Sequence, residues 1–205
     1  TLRQFQQLTW VNPKRVLVNL RNLETTLPAH LDDRTRKLRT NDLKEWREAR
    51  IAALFAHGVG TSVLMQSIEV SKVEASDYDF VIRWIANDIA QYLPVQLKEL
   101  PPSDLNAEVS LRDILDGLTK YSGSADLAVL IYLNRQFRFE YHPDALNTDA
   151  RARELWFLGC ASEDQSQWFL YGDVIGKQPR RYDFQYPSDD ESAAYPAVGV
   201  DASVL

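Results

Sequence analysis

The sequence predicts an α/β domain in which a mixed central β-sheet is flanked by helices. One observation is a helical repeat of apolar residues in DLKEWREARIAALFAHG, residues 42–58. The others are a series of short apolar segments typical of strands, and a second helical pattern that lies between two of them. A strand, a helix and a buried strand in that order indicate a parallel pair with a right-handed crossover, whereas tight turns indicate antiparallel neighbours. The sheet is therefore expected to be mixed.

The first predicted elements lie before residue 60. KRVLVNL, residues 14–20, is interpreted as a strand, and DDRTRKLRT, residues 32–40, as a basic connection. Thr40 or Asn41 can cap the helix that follows, and Gly58 ends it. The apolar residues of this helix recur at helical spacing and are expected in the core: Leu43, Trp46, Ile51, Leu54 and Phe55.

Three strands are predicted in the middle of the chain. SVLMQSIEVSKVE, residues 62–74, and YDFVIRWI, residues 78–85, read as a hairpin joined by the turn-prone EASD. AQYLPVQLKELPP, residues 90–102, predicts a further strand that ends at its two final prolines, because proline cannot donate to a central ladder.

The second half of the chain begins with a helix. Ser110 and Asp113 form a capping-box pattern at its start. DLAVLIYLNR, residues 126–135, is almost continuously apolar, which is typical of a strand buried on both faces. ELWFLGC and QWFLYGDVI, residues 154–160 and 167–175, predict a closing pair of strands.

Composition indicates one globular domain. The 205 residues are 45% hydrophobic and 25% charged, which suffices for a sizeable core. We expect an N-terminal extension with a possible strand and a basic loop over residues 1–40, an α/β domain over residues 41–186, and a loose acidic tail over residues 187–205.

Charge and cysteine content exclude several classes of function. The net charge of −6 gives a field that repels nucleic acid, so any contact with it would need a local basic surface. No apolar run approaches the roughly 18 residues of a membrane span, and no secretion signal opens the chain, so a cytoplasmic location is expected. Cys160 is the single cysteine, which excludes a disulfide framework and a thiolate metal cluster, and we expect it to be a small buried hydrophobe.

Four polar residues form the candidate site. Gln96 and Lys98 lie on one face of a strand because strand side chains alternate, and a lysine on a covered face needs an anionic partner. Asp79 opens the preceding strand and Glu48 projects from the first long helix. Carboxylate and amide oxygens are ligands that suit Mg²⁺. A lysine beside such an ion can act on the water that attacks a phosphorus atom.

This order of residues resembles the PD-(D/E)XK nuclease superfamily, whose fold is called restriction endonuclease-like. A helix glutamate, an aspartate that opens a strand and an acid-x-Lys on the next strand follow in the family's order, and QLK resembles its variant with glutamine in place of the second acid. The resemblance covers about residues 41–134. It implies a nuclease dependent on Mg²⁺ or Mn²⁺ that hydrolyses phosphodiester bonds in nucleic acid, with DNA favoured.

The resemblance also implies a role for each site residue. Asp79 becomes the principal metal ligand, Gln96 a second ligand or positioner, and Glu48 a supporting acid of the metal site. Lys98 becomes the residue that handles the nucleophilic water.

Several alternatives stay open. Asp77 competes with Asp79 for the ligand role, and Glu45 competes with Glu48. Because Gln96 carries no charge, a catalytically inactive member of the same fold, acting as a binding module in a defence or repair system, is the main alternative function. A third possibility is an unrelated α/β binding domain, in which Lys98 and Asp79 form at most an ordinary cross-strand ion pair.

Contact with a nucleic acid would come from two local basic groups. One lies in the basic connection and the other in GKQPRRYD, residues 176–183. The candidate substrate-binding residues are Arg34, Arg36, Lys37, Arg39, Lys177, Arg180 and Arg181. A homodimer or a partner subunit is compatible with the sequence, and a membrane partner is not expected.

Overall fold

The fold is an α/β arrangement with one seven-stranded mixed sheet and helices against both of its faces. A computed structural model describes residues 2–26, 44–73, 77–118, 126–135, 152–176 and 178–188. The helices are α1 (Leu2–Gln6), α2 (Pro13–Thr26), α3 (Lys44–Gly58), which continues as a π-helix over Val59–Val63, and α4 (Leu111–Asp116). The strands are β1 (Glu69–Lys72), β2 (Phe80–Ala86), β3 (Ile89–Leu100), β4 (Ala128–Leu133), β5 (Glu154–Cys160), β6 (Gln167–Gly172) and β7 (Arg180–Gln185).

The strands lie in the sheet in the same order as in the chain. β1, β2 and β3 pair antiparallel, β3, β4 and β5 pair parallel, and β5, β6 and β7 pair antiparallel. The predicted parallel pair around a helix is therefore confirmed, and so is the antiparallel pairing of the first two predicted strands. The first of these strands is shorter than predicted, because β1 covers only Glu69–Lys72 and Ser62 and Val63 belong to the π-helix. Because β1, β3, β4 and β5 run in one direction, their carboxyl ends meet at the edge of the sheet where β2 begins.

Two hydrophobic clusters cover the two faces of the sheet. On the α3 face, Val95, Leu130 and Trp156 pack against the apolar side of α3. On the α4 face, Ile131 and Leu155 pack with the residues of α4. All the residues of β4 except its tyrosine are buried, as predicted for a strand covered on both faces.

The predicted strand KRVLVNL is wrong, because these residues belong to α2. Asn12 precedes the helix and its Oδ1 accepts a hydrogen bond from Lys14 N at 2.9 Å, while Pro13 occupies the first helical turn, where its missing N–H costs nothing. Leu17 and Leu20 then lie three residues apart on the buried side. The β-branched residues suggested a strand, but the cap and the helical spacing decide the structure.

Two burial predictions are also wrong. Trp46 lies in the first turn of α3 and is 49% exposed, because the buried residues of this helix begin only at Ile51. Cys160 is exposed at the last position of β5, and its Sγ donates to Ser162 O at 3.1 Å. The last residue of a strand lies at the rim of the sheet, where less of the core covers it.

β7 was not predicted, since only Phe184 in it is buried. An edge strand with a single fully buried residue leaves too weak an alternation in the sequence. The N-terminal residues also contribute to the core, because Leu17 of α2 belongs to the cluster on the α3 face. None of the helices in the described ranges is long and apolar enough to cross a membrane.

Candidate active site at the rim of the sheet

Asp79 lies directly before β2, at the rim where the parallel strands end. Its backbone N–H donates to Val95 O on β3 at 2.9 Å, and its carbonyl accepts from Val73 N, just after β1, at 3.2 Å. The backbone of Asp79 is thus held by both neighbouring strands. Strand pairing brings it beside Gln96, because Phe80 is the register partner of Val95.

The side chain of Asp79 completes the pairing of β3. β3 extends beyond the start of β2, so the N–H of Leu97 faces a side where β2 has no residue to pair with it. Asp79 Oδ2 accepts a hydrogen bond from Leu97 N at 2.6 Å. The same oxygen accepts a second hydrogen bond from Gln96 Nε2. The predicted proximity of Asp79 and Gln96 is therefore present.

Lys98 follows Gln96 by two residues on β3 and so projects from the same face, with the two Cα atoms about 7 Å apart. Its register partner on β4 is Ile131, which belongs to the cluster on the α4 face. Lys98 is partly buried. The structure thus places a lysine on the Gln96 side of the sheet, close to the rim that carries Asp79.

Glu48 lies on α3, which covers the opposite face of the sheet. Its carboxylate is 3.5 Å from Lys44 Nζ one helical turn earlier. Glu45 lies 3.8 Å from Lys72 Nζ at the end of β1, so the start of α3 does reach the rim. The described contacts do not bring Glu48 to Asp79, and its role in the site stays a prediction.

Asp77 is exposed three residues before the start of β2, whereas Asp79 makes the contacts with β3. Between the two aspartates, the geometry favours Asp79 as the partner of Gln96.

The two basic groups are only partly within the described residues. Arg34, Arg36, Lys37, Arg39 and Lys177 lie outside the described residues. Arg180 and Arg181 are exposed on β7, which lies four strands away from β3 in the sheet. Arg181 donates to Asp183 Oδ1 at 2.7 Å and its guanidinium lies 4.5 Å from the ring centroid of Phe169.

Glu99, which no sequence pattern singled out, holds the end of β3 in place through two contacts. Its carboxylate accepts from Asn134 Nδ2 at 2.7 Å and lies 3.8 Å from Arg47 Nε on α3. These contacts join β3 to the end of β4 and to α3 on the face opposite Lys98. The alternation of side chains on β3 predicts the face of Glu99, but its partners come from distant segments.

The donor set at Asp79 suits a hard cation held weakly. A carboxylate and an amide offer oxygen ligands, which Mg²⁺ prefers, but only one of them carries a charge. Among the residues that the structure describes, no three His, Cys, Asp or Glu side chains converge as a metal cluster would require. An ion at Asp79 would therefore need waters and a substrate phosphate as its further ligands.

Comparisons with known proteins give no assignment: no protein-family model, no curated protein and no solved structure matches the chain.

Proposed function

We propose that this protein is a metal-dependent nuclease that hydrolyses phosphodiester bonds in nucleic acid, with DNA as the favoured substrate. One observation carries the proposal: Asp79 contacts Gln96 on the adjacent strand, and Lys98 projects from the same face two residues further on. An acid, an amide and a lysine thus lie on one side of the sheet near its rim.

The order of the elements supports a restriction endonuclease-like core. α3 precedes three antiparallel strands, and α4 then leads into a strand parallel to β3. This helix, three-strand, helix, strand order is the one that the sequence resemblance implies for residues 41–134. The aspartate opens the second of these strands and Q-x-K lies on the third.

Each site residue has a defined task in the proposed reaction. Asp79 would hold the ion through its carboxylate, and Lys98 would orient the attacking water or take its proton. When bound, Mg²⁺ or Mn²⁺ supplies charge neutralisation at the phosphate and lowers the pKa of the bound water. Glu48 on α3 would be the supporting helix acid, with Glu45, which lies 3.8 Å from Lys72 Nζ at the end of β1, as its alternative.

The test is cleavage of single-stranded, double-stranded and branched DNA and RNA with Mg²⁺ or Mn²⁺. Asp79→Asn and Lys98→Met should each lower the rate at least a hundredfold, because each removes a group that acts at the reacting atoms. Asp77→Asn is the matched control and should retain activity. Equal cleavage by wild type and all three variants would reveal a contaminant and overturn the proposal.

A second candidate function is favoured by the contacts of Asp79 itself. Its Oδ2 already accepts from two uncharged donors, which is also how a purely structural aspartate completes a strand. In that case the protein is a catalytically inactive fold member that binds a partner in a defence or repair system. Wild-type protein that neither cleaves the panel nor binds Mn²⁺ in a calorimetric titration would favour this alternative.

A further inference from the structure

The orientation of the Gln96 amide is determined by its surroundings. Gln96 Nε2 faces two acceptors, the Oδ2 of Asp79 and, at 3.4 Å, the carbonyl oxygen of Leu97. An ionised carboxylate and a carbonyl can only accept hydrogen bonds, so a nitrogen with two hydrogens fits between them. The reversed amide would set its oxygen against two other oxygens and lose both interactions.

We propose that Gln96 is a positioning residue that acts on Asp79 through its amide nitrogen and is not a ligand of the metal ion. This inference rests on the proposed nuclease function. Asp79 Oδ2 is held by Gln96 and Leu97, which would leave Oδ1 available to an ion. The glutamine of the Q-x-K pattern then occupies the position of the family's second acid but does not bind the metal ion.

Two donors from consecutive residues fix the Asp79 carboxylate. Leu97 N is a backbone donor that cannot move without β3, and Gln96 Nε2 approaches the same oxygen from the side chain. Gln96 is only 9% exposed, so water competes little for this contact. Both hydrogen bonds involve a charged acceptor and therefore contribute more than neutral ones.

A ligand role would require this arrangement to break. To present Oε1 to an ion at Asp79, the amide would have to turn over and leave Oδ2 with one donor fewer. The two roles therefore differ in what the amide hydrogens do when metal binds. A positioning residue keeps its hydrogen bond to Asp79, and a ligand gives it up.

The first test is a double-mutant cycle without metal. Unfolding of wild type, Gln96→Met, Asp79→Asn and the double variant is measured in chelator, where a metal ligand has nothing to coordinate. The expected coupling is about tenfold in the unfolding equilibrium constant, as for a hydrogen bond to a charged group. Additivity within about twofold would overturn the positioning role.

The second test uses wild-type protein, so it does not depend on a variant that folds. The exchange of the two Gln96 side-chain amide protons is followed by NMR during a Mg²⁺ titration. Continued protection at saturation is expected, and faster exchange on saturation would show that Gln96 turns to the ion. If wild type binds no Mg²⁺ while the coupling between Gln96 and Asp79 persists in chelator, the proposed nuclease function fails. The contact between Gln96 and Asp79 is then structural and has no role in catalysis.

Discussion

Arg50 on α3 forms an ion pair with Glu24 on α2 at 2.5 Å, and the two side chains are 12% and 15% exposed. The same guanidinium donates to Gln165 Oε1 at 2.9 Å in the turn between β5 and β6. Tyr186 lies beside it and donates its hydroxyl to Leu17 O at 2.7 Å. Burial raises the pKa of this tyrosine. One cluster thus joins α2, α3 and the C-terminal strands.

Arg50→Met is expected to destabilise the fold by about 3 kcal/mol. It removes both hydrogen bonds and leaves the Glu24 charge partly buried without its partner. Urea denaturation gives the free energy of unfolding. Arg112→Met is the matched control, because that side chain is 87% exposed in its pair with Asp116 and should cost under about 0.5 kcal/mol. Similar losses in both variants would contradict a stabilising role for the Arg50 pair.

Gly58→Ala is expected to destabilise the protein by about 1–3 kcal/mol. The backbone at Gly58 is helical, so alanine would be favoured there by helix propensity alone. A Cβ atom would, however, lie 2.7 Å from Phe184 Cε1 and 2.9 Å from Leu170 Cδ1, so the core would have to shift. Thermal unfolding measures the effect.

Gly117→Ala is the control for that prediction. It also has a helical backbone, and a Cβ added there meets nothing within 4 Å. The free energy of unfolding of the Gly117→Ala variant should equal that of wild type or be slightly higher. A stabilising Gly58→Ala would mean that β6 and β7 pack less closely on α3 than described.

Ser110→Ala is expected to cost about 1 kcal/mol, because it removes the N-cap of α4. Ser110 Oγ accepts from Asp113 N at 3.2 Å, and Ser110 N donates to Asp113 Oδ2 at 2.8 Å. The hydrogen bond from the Ser110 side chain is the largest cause that lowers the pKa of Asp113. NMR titration of the variant should show that pKa closer to its ordinary value. Ser103→Ala, in an exposed turn, should leave both quantities unchanged.

Asp164 makes the turn between β5 and β6 sensitive to acid. Hydrogen bonds from Ser162 and Ser166 lower its pKa from 3.8 to about 2. Folding therefore favours the ionised form, and the stabilisation is present above about pH 4 and is lost as the pH falls through 2. The stability difference between wild type and Asp164→Ala should accordingly shrink as the pH falls below 4 and continue to shrink below pH 2. A difference independent of pH would contradict this origin, and Glu163→Ala serves as the neighbouring control.

The sequence predicts the sheet where burial leaves a pattern. β4 is apolar at every position, and the seven residues between Lys72 and Phe80 are too few for the crossover that parallel pairing of β1 and β2 would need. The sequence does not predict α2 as a helix, because Val16 and Val18 suggest a strand and the N-cap from Asn12 is a single local contact. The sequence does not predict β7, because Phe184 is the only buried residue of this strand and leaves no alternating pattern.

The candidate site is predicted in part for the same reason. Alternation along β3 and antiparallel pairing with β2 bring Gln96 to Asp79 whatever the surroundings. The direction of the Gln96 amide depends on the carbonyl of Leu97 and on where β2 begins, which are properties of the folded backbone. Whether the Glu48 side chain points toward the site depends on how α3 is rotated about its axis over the sheet. Helical spacing in the sequence does not determine that rotation.

The identical order of strands in sheet and chain has a consequence for how the protein folds. Each described strand finds its partner in the strand made just before it, so the sheet can grow from one edge to the other during synthesis without waiting for a late insertion. The hydrogen bond between Tyr186 and Leu17 spans 169 residues and can form only when β7 is complete. We therefore expect the hydrogen bond between Tyr186 and Leu17 to be among the last contacts to form during folding and among the first to break during unfolding.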